Sequence, residues 1–266
     1  MSGDLVDRGA REHYEDAALY DYEYRRRRAD ITFYRELAKR MGAQRILELG
    51  AGSGRLTIPL ARDGLAVTAL DQSRPMLDRL RGKKLPPSVA RRITTVEGDL
   101  CTFDLGEKFP LAIAAFNVLE HLYTRGEVDA CLRRIAAHLE PGGAFAFDVQ
   151  LPDLEWLIRD PAKRWAKTRF TDPTTRRAMF YSTNHVYDPI SQIVLIRLYY
   201  DPADGGPGGR VVTLSQRKFF PAELEALVAG AEFSVSARYG DFFWGPLGGT
   251  SESQVLVCEP RRKPRR

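Results

Sequence analysis

The sequence predicts an α/β fold: a mostly parallel sheet covered by helices, closed by a C-terminal antiparallel hairpin and carrying an inserted antiparallel β cap. Three observations predict it. Short apolar strands alternate with helical patterns up to residue 149, the signature of a parallel sheet buried on both faces. After Gln150 the segments lengthen into strands joined by turns, which is a meander and not another strand–helix–strand unit. The chain then returns to one helix and two final strands.

Residues 12–41 read as helix, with Leu19, Tyr22, Ile31, Tyr34 and Leu37 at apolar positions. "RILEL" (45–49) is the first strand, followed by a helix from about Arg55 to Ala61. "AVTALD" (66–71) leads into a helix opened by Ser73, with Pro75 in its first turn. "RITTVEG" (92–98) and "LAIAAF" (111–116) are the third and fourth strands. In "EVDACLRRIAAHL" (127–139) Val128, Cys131, Leu132, Ile135 and Leu139 form one helical stripe. "PGG" ends it, and "AFAFDV" (144–149) is the fifth strand. Strands follow at 177–188, 190–201 and 209–220, with turns at Asp188-Pro189 and "DPADGGPGG". A helix from Pro221 and strands at 232–240 and 252–260 finish the chain.

Composition narrows the class. Of 266 residues 44% are hydrophobic, enough for a sizeable core, and no apolar run approaches the roughly 18 residues that span a bilayer. The first residues are mixed and acidic, without the apolar stretch of a secretion signal. Cys101, Cys131 and Cys258 lie far apart with no metal spacing, so reduced thiols in the cytoplasm and no metal site are expected. The net charge of +5 is concentrated in Arg25–Arg28 and in the tail from Arg261 to Arg266. Four successive arginines on a helix point around its circumference and make no one-sided nucleic-acid stripe, and the tail reads as disordered.

The informative stretch is "ILELGAGSGR" (46–55). A dinucleotide loop needs a glycine at its sixth position, and counting from Gly50 that position is Arg55. Glu48 would also repel a pyrophosphate seated on the following helix. A ligand joining a cation to an adenosine is attracted instead, and S-adenosylmethionine, with an ammonium, a sulfonium and no phosphate, fits. Asp71 ends the second strand about twenty residues on, placed to accept from ribose hydroxyls. Gly98, Asp99 and Leu100 end the third strand, placed to meet an adenine. Phe116 and Asn117 end the fourth, at the carboxyl edge where open α/β sheets bind ligands.

With these residues in register, the stretch 31–149 resembles class I S-adenosylmethionine-dependent methyltransferases. "ELGAGSGR" (including Ala51, Gly52 and Gly54), "LDQS" (with Gln72) and Met76, "EGDL", "FNVLEHL" and "LEPGGAFAFDV" match their five motifs. The resemblance implies a Rossmann-like seven-stranded sheet, parallel except for its last strand. It implies an insertion that looks like the cap of small-molecule enzymes such as the amino-sugar N-methyltransferases. N-terminal helices closing over the cofactor are implied too, with Tyr20 and Tyr34 near its methionine end. The expected organisation is a helical lid (1–41), a cofactor-binding core (42–150), a cap (151–220), and a helix and hairpin that complete the core (221–260).

For the transfer, Glu48 is expected to hold the ammonium and Arg55 the methionine carboxylate. His121 is the candidate base, since imidazole titrates near neutral pH; its alternative is a histidine packed on the next helix. Its neighbour Glu120 reads as solvent-facing. Tyr14, Tyr181, His185, Phe242 and Trp244 are candidate substrate contacts, and "GDFFWGPLGG" (240–249) reads either as a flap or as a packed loop. The expected activity is methyl transfer to a nitrogen or oxygen of a small molecule. The alternatives are a nucleic-acid or protein methyltransferase, or a non-catalytic binding module. Exposed cap strands make a homodimer through the cap credible.

Overall fold

In the computed structural model, which describes residues 3–261, the chain opens with helices α1 (Gly3–Gly9), α2 (Ala17–Tyr24) and α3 (Ala29–Arg40). The single helix expected over 12–41 is therefore broken twice. Asp16 caps α2 by accepting from Leu19 N, which fixes a start there. The second break falls in the run Arg25–Arg28, whose first and last members, three residues apart, would repel on a helix.

Strand–helix alternation follows as β1 (Arg45–Leu49), α4 (Thr57–Arg62), β2 (Ala66–Asp71), α5 (Arg74–Arg81), the short α6 (Pro87–Ala90), β3 (Ile93–Glu97) and β4 (Phe109–Ala114). A 3₁₀ turn at Val118–His121 leads to α7 (Arg125–Ala137) and β5 (Leu139–Gln150). Helix α7 starts two residues before its expected position because Thr124 and Glu127 form a capping box. The insertion contains α8 (Leu154–Leu157) and strands β6 (Trp165–Thr171), β7 (Ala178–Asp188), β8 (Ile193–Pro202) and β9 (Arg210–Arg217). Helix α9 (Pro221–Gly230) and strands β10 (Phe233–Tyr239) and β11 (Ser253–Pro260) close the chain.

These elements form two compact units, residues 27–151 with 219–261, and residues 3–26 with 152–218. Residues 262–266, nearly all of the basic tail, lie outside the described residues. The first unit is a seven-stranded sheet in the order β3-β2-β1-β4-β5-β11-β10, in which β11 alone runs antiparallel to its neighbours. Side chains of β1 alternate between its faces. Leu47 and Leu49 join the apolar cluster of α7 and α9, whereas Ile46 joins that of α3 and α4. Helix α3, expected with the lid, belongs to this unit because Phe33, Tyr34 and Leu37 are buried in the second cluster.

The second unit is a four-stranded antiparallel sheet, β6-β7-β8-β9. One face packs Val194, Ile196, Leu198 and Tyr200 with Leu19 of α2. Helix α1 lies on β9, where the Ser215 hydroxyl donates to Val6 O at 2.7 Å. Strand β6 escapes sequence reading because "WAKTRFT" is mostly exposed and carries charge where an apolar alternation would be sought.

Candidate active site

The carboxyl ends of β1, β2, β3 and β4 lie side by side, with Leu49 opposite Leu70 and Asp71 opposite Glu97. Between β1 and α4 the chain turns through Gly50, Gly52 and Gly54, all with positive φ (64°, 55° and 84°). A side chain is excluded for a second reason at two of them. A Cβ on Gly50 would stand 2.5 Å from Val118 Cγ2, and one on Gly54 would collide with Leu80 of α5. The turn is thus wedged between the segment after β4 and the helix after β2.

Glu48, on the face of β1 that α3 and α4 cover, is only 3% exposed. Its Oε2 is buried with no hydrogen-bond partner, and burial pushes its carboxyl up to about 8. Asp71 ends β2 with both oxygens on backbone: Oδ2 accepts from Gly52 N and Oδ1 from Ser73 N, each at 2.7 Å. Every carboxylate oxygen has a second lone pair, so Asp71 can accept further donors while it holds the turn. Asp99 is exposed beyond β3, with Cys101 N donating to Oδ1 at 2.8 Å.

After β4, Phe116 and Asn117 both adopt left-handed conformations (φ 71° and 62°). Asp148 of β5, fully enclosed, underlies them. Its Oδ1 accepts from Phe116 N at 2.8 Å and from the Tyr34 hydroxyl at 2.7 Å, and its Oδ2 accepts from Asn117 N at 3.3 Å. Burial pushes Asp148 up to about 6 against these stabilising bonds. Above the turn, the guanidinium carbons of Arg27 and Arg55 each lie 4.7 Å from the Phe116 ring centroid. His121 follows with Nδ1 3.3 Å from the Tyr123 hydroxyl.

This constellation fits a cationic nucleoside ligand. The buried carboxyl of Glu48, whose Oε2 has no hydrogen-bond partner, can ionise against a cation brought behind the glycine turn, whereas a phosphate chain offers it no such counter-charge. Residues 46–143 match the model of a methyltransferase domain. The chain is 27% identical to a dTDP-3-amino-3,4,6-trideoxy-α-D-glucopyranose N,N-dimethyltransferase of Streptomyces venezuelae, over 77% of this chain and 80% of that protein. It superposes on the CcbJ methyltransferase from Streptomyces caelestis with a TM-score of 0.74 and 27% identity, covering 88% and 90% of the two chains. The glycopeptide N-methyltransferase MtfA in complex with S-adenosylmethionine aligns with a TM-score of 0.60 and 25% identity, over 87% and 94%. Residues 46–143 thus form a methyltransferase domain. Against other curated relatives the match is confined to 104–107 residues and spans 37–42% of their length.

Within the methyltransferase domain the structure gathers Glu48, Gly50, Ala51, Gly52, Gly54, Asp71, Gln72, Gly98, Asp99, Leu100, Phe116 and Asn117 at one sheet edge. Several expected contacts are placed otherwise. Arg55 is engaged by the buried Asp30, with a Nη1–Oδ1 distance of 3.0 Å and a second, shorter contact. Tyr34 has no exposed surface and its hydroxyl is held by Asp148, so it supports the site from beneath instead of touching a ligand. Met76 is packed under the turn, its Cε 3.1 Å from a hypothetical Cβ on Gly52. Glu120, read as solvent-facing, is fully buried because its Oε1 accepts from Gln150 N at 2.9 Å.

Phe242 and Trp244 also depart from expectation. Trp244 packs on Phe33 with ring centroids 4.3 Å apart, and Arg40 stacks over it at 3.8 Å. Phe33, Phe242 and Trp244 line, with Ala43 and Gln44, which precede β1, a cavity of about 800 Å³ at the end of the sheet opposite the glycine turn. The 240–249 segment is a packed loop, tied by Asp241 accepting from Phe243 N and Gly245 N. Tyr14, Tyr20, Tyr181 and His185 belong to the cap unit. Tyr14 and Tyr20 pack around the buried His13, and Tyr181 lies 5.5 Å from Tyr200. His185 stacks on Trp156 at 3.9 Å and its Nε2 lies 2.7 Å from Trp156 O, a structural commitment.

Sequence reading missed Asp148, Asp30 and Arg27. Asp148 did leave a signal, a lone carboxylate inside the apolar strand "AFAFDV". Among the described residues no group of three or more His, Cys, Asp or Glu could hold a metal.

Proposed function

We propose that this domain takes S-adenosylmethionine as donor and methylates a nitrogen of a small-molecule acceptor, of the amino-sugar class. The observation that carries the donor assignment is Glu48 Oε2, buried and unpartnered behind the glycine turn. The amino-sugar class is supported by the N,N-dimethyltransferase relative, which matches over most of both chains.

When bound, the donor supplies an already activated methyl group, so the protein's tasks are binding, alignment, water exclusion and handling of one proton. Glu48 would attract the donor's ammonium, Asp71 would accept from its ribose hydroxyls, Asp99 would meet its adenine, and the Phe116–Asn117 turn would line its methionine end. A protonated amine must lose a proton before its lone pair can displace the sulfur. His121, whose Nδ1 lies 3.3 Å from the Tyr123 hydroxyl, takes that proton. His121→Ala is expected to lower turnover by 10²-fold or more between pH 6 and 9, the lower end of general-base effects. Unchanged turnover across that range removes His121 from the mechanism. A screen of amino sugars and hydroxylated sugars, with S-adenosylhomocysteine as the detected product, tests the acceptor class; product from hydroxyl acceptors alone contradicts it.

In this reading the enzyme works in the cytoplasm, supported by three free cysteines and by the finding that no helix among the described residues is long and apolar enough to cross a membrane. It pairs as a homodimer through the cap, where β6 is a largely exposed edge strand. Sedimentation at micromolar concentration tests the dimer.

A further inference from the structure

The turn after β4 needs an explanation that local sequence does not supply. Two successive non-glycine residues, one of them a bulky phenylalanine, sit in the left-handed region. Bulky side chains seldom adopt it, and such outliers persist only where the surroundings over-determine them. Here the surroundings are specific. Both backbone N–H groups of the turn point at one enclosed carboxylate, Asp148, and that carboxylate is fixed from the other side by the Tyr34 hydroxyl. Tyr34 is itself held in the core by Phe33 and its neighbours on α3. The start of α3 also reaches the turn from outside, through Arg27 over the Phe116 ring and through Asp30 holding Arg55 over the same ring.

We propose that Asp148 is a positioning residue for donor binding: it acts through the backbone of Phe116 and Asn117 and holds this turn against the glycine loop from β5, while the Tyr34 hydroxyl only completes the buried cluster around it. The proposal rests on the donor reading given above. Gly50 supplies the link to the loop, since its missing side chain is what lets Val118, one residue beyond the turn, approach it. A displaced turn therefore misplaces both walls of the donor site together. No residue of the pair needs to touch the donor.

The chemistry of the clamp dictates the test. A carboxylate accepts on both oxygens, so it satisfies Phe116 N–H, Asn117 N–H and Tyr34 O–H at once. Asparagine at position 148 has the same shape but turns an N–H₂ donor towards one of these donors, whichever way it is oriented. Phenylalanine at position 34 removes the hydroxyl and leaves both turn bonds intact. Asp148→Asn and Tyr34→Phe therefore disturb the same buried cluster but only the first disturbs the turn.

The experiment titrates full-length wild type, Asp148→Asn and Tyr34→Phe with S-adenosylhomocysteine by calorimetry, with thermal melts of each protein. Both variants are expected to melt below wild type. Asp148→Asn is expected to raise Kd tenfold or more, whereas Tyr34→Phe stays within threefold. The amide resonances of Phe116 and Asn117 in ¹⁵N spectra are expected to move in Asp148→Asn and to stay near their wild-type positions in Tyr34→Phe. Should Asp148→Asn not fold, Asp148→Ser, smaller and still able to accept a hydrogen bond, takes its place in the same comparison. Wild-type affinity in the position-148 variant overturns the proposal. Equal weakening in both variants also overturns it, because a purely structural cluster would behave that way. If wild type itself binds no S-adenosylhomocysteine, the donor reading fails first and this proposal falls with it.

Discussion

Glu48 combines burial, an unpartnered oxygen and a carboxyl raised to about 8, three properties of a group whose counter-charge arrives with a ligand. Because its folded value lies above the unfolded 4.5, its contribution to stability is fully present below pH 4.5 and is lost as pH rises towards 8. A bound ammonium favours the ionised form, so cofactor binding near pH 7 is expected to release a proton. Calorimetry in buffers of different ionisation enthalpy measures that release directly. Glu48→Gln is expected to abolish it and to weaken binding by at least tenfold, about 1.4 kcal/mol. Proton release that persists in the variant would move the titrating group elsewhere. The glycine spacing made Glu48 and Asp71 legible in the sequence, because both flank a local turn. Asp148 was not legible as a partner of that turn, since its role depends on β5 lying beside β4, a non-local fact.

At the scale of elements, the glycine turn works because two neighbours crowd it. Gly50→Ala forces a Cβ into the left-handed region and to within 2.5 Å of Val118. It is expected to destabilise the protein by about 1–3 kcal/mol through backbone strain, read from thermal melts, and to weaken cofactor binding more than tenfold. A variant that melts early yet binds normally would separate the turn from the donor. In the cap, His13 is buried among tyrosines and burial pushes its imidazole down to about 4. Its folded value lies below the unfolded 6.5, so it stays neutral when folded. Its share of stability is present above pH 6.5 and is lost as pH falls towards 4, by about 3 kcal/mol at the lower end. His13→Phe is expected to shift acid unfolding to lower pH. Glu23, raised to about 7 in the same unit, titrates in both proteins and cancels from the comparison. An unchanged acid midpoint would mean that His13 is not held neutral. Among these elements α7 and the parallel strands follow their apolar periodicities, whereas β6 is set by pairing with β7 and carries no pattern of its own.

For the whole molecule, the chain divides into a seven-stranded sheet whose carboxyl edge carries the glycine turn and a four-stranded sheet formed by the insertion, in one unit with α1 and α2. The parallel strands follow from the alternation seen in the sequence, and the lone antiparallel β11 is what the resemblance implied, whereas the order of the strands comes from the structure. The assignment of α3 to the core does not, because its amphipathic stripe would serve a lid equally well; burial of Phe33, Tyr34 and Leu37 decides it. Phe242 and Trp244 show the same limit. Their aromatic character marks them for burial or contact, but only the path of the 240–249 loop along α3 shows which surface they cover. In the function proposed above, the turn selects a nucleoside bearing a cation and refuses one bearing phosphates. Parallel titration of the purified protein with S-adenosylmethionine, ATP and NADH under one buffer condition tests it most directly. Saturable binding of S-adenosylmethionine is expected, with none of the other two at matched concentrations; binding of ATP or NADH with S-adenosylmethionine remaining free contradicts the proposed selectivity.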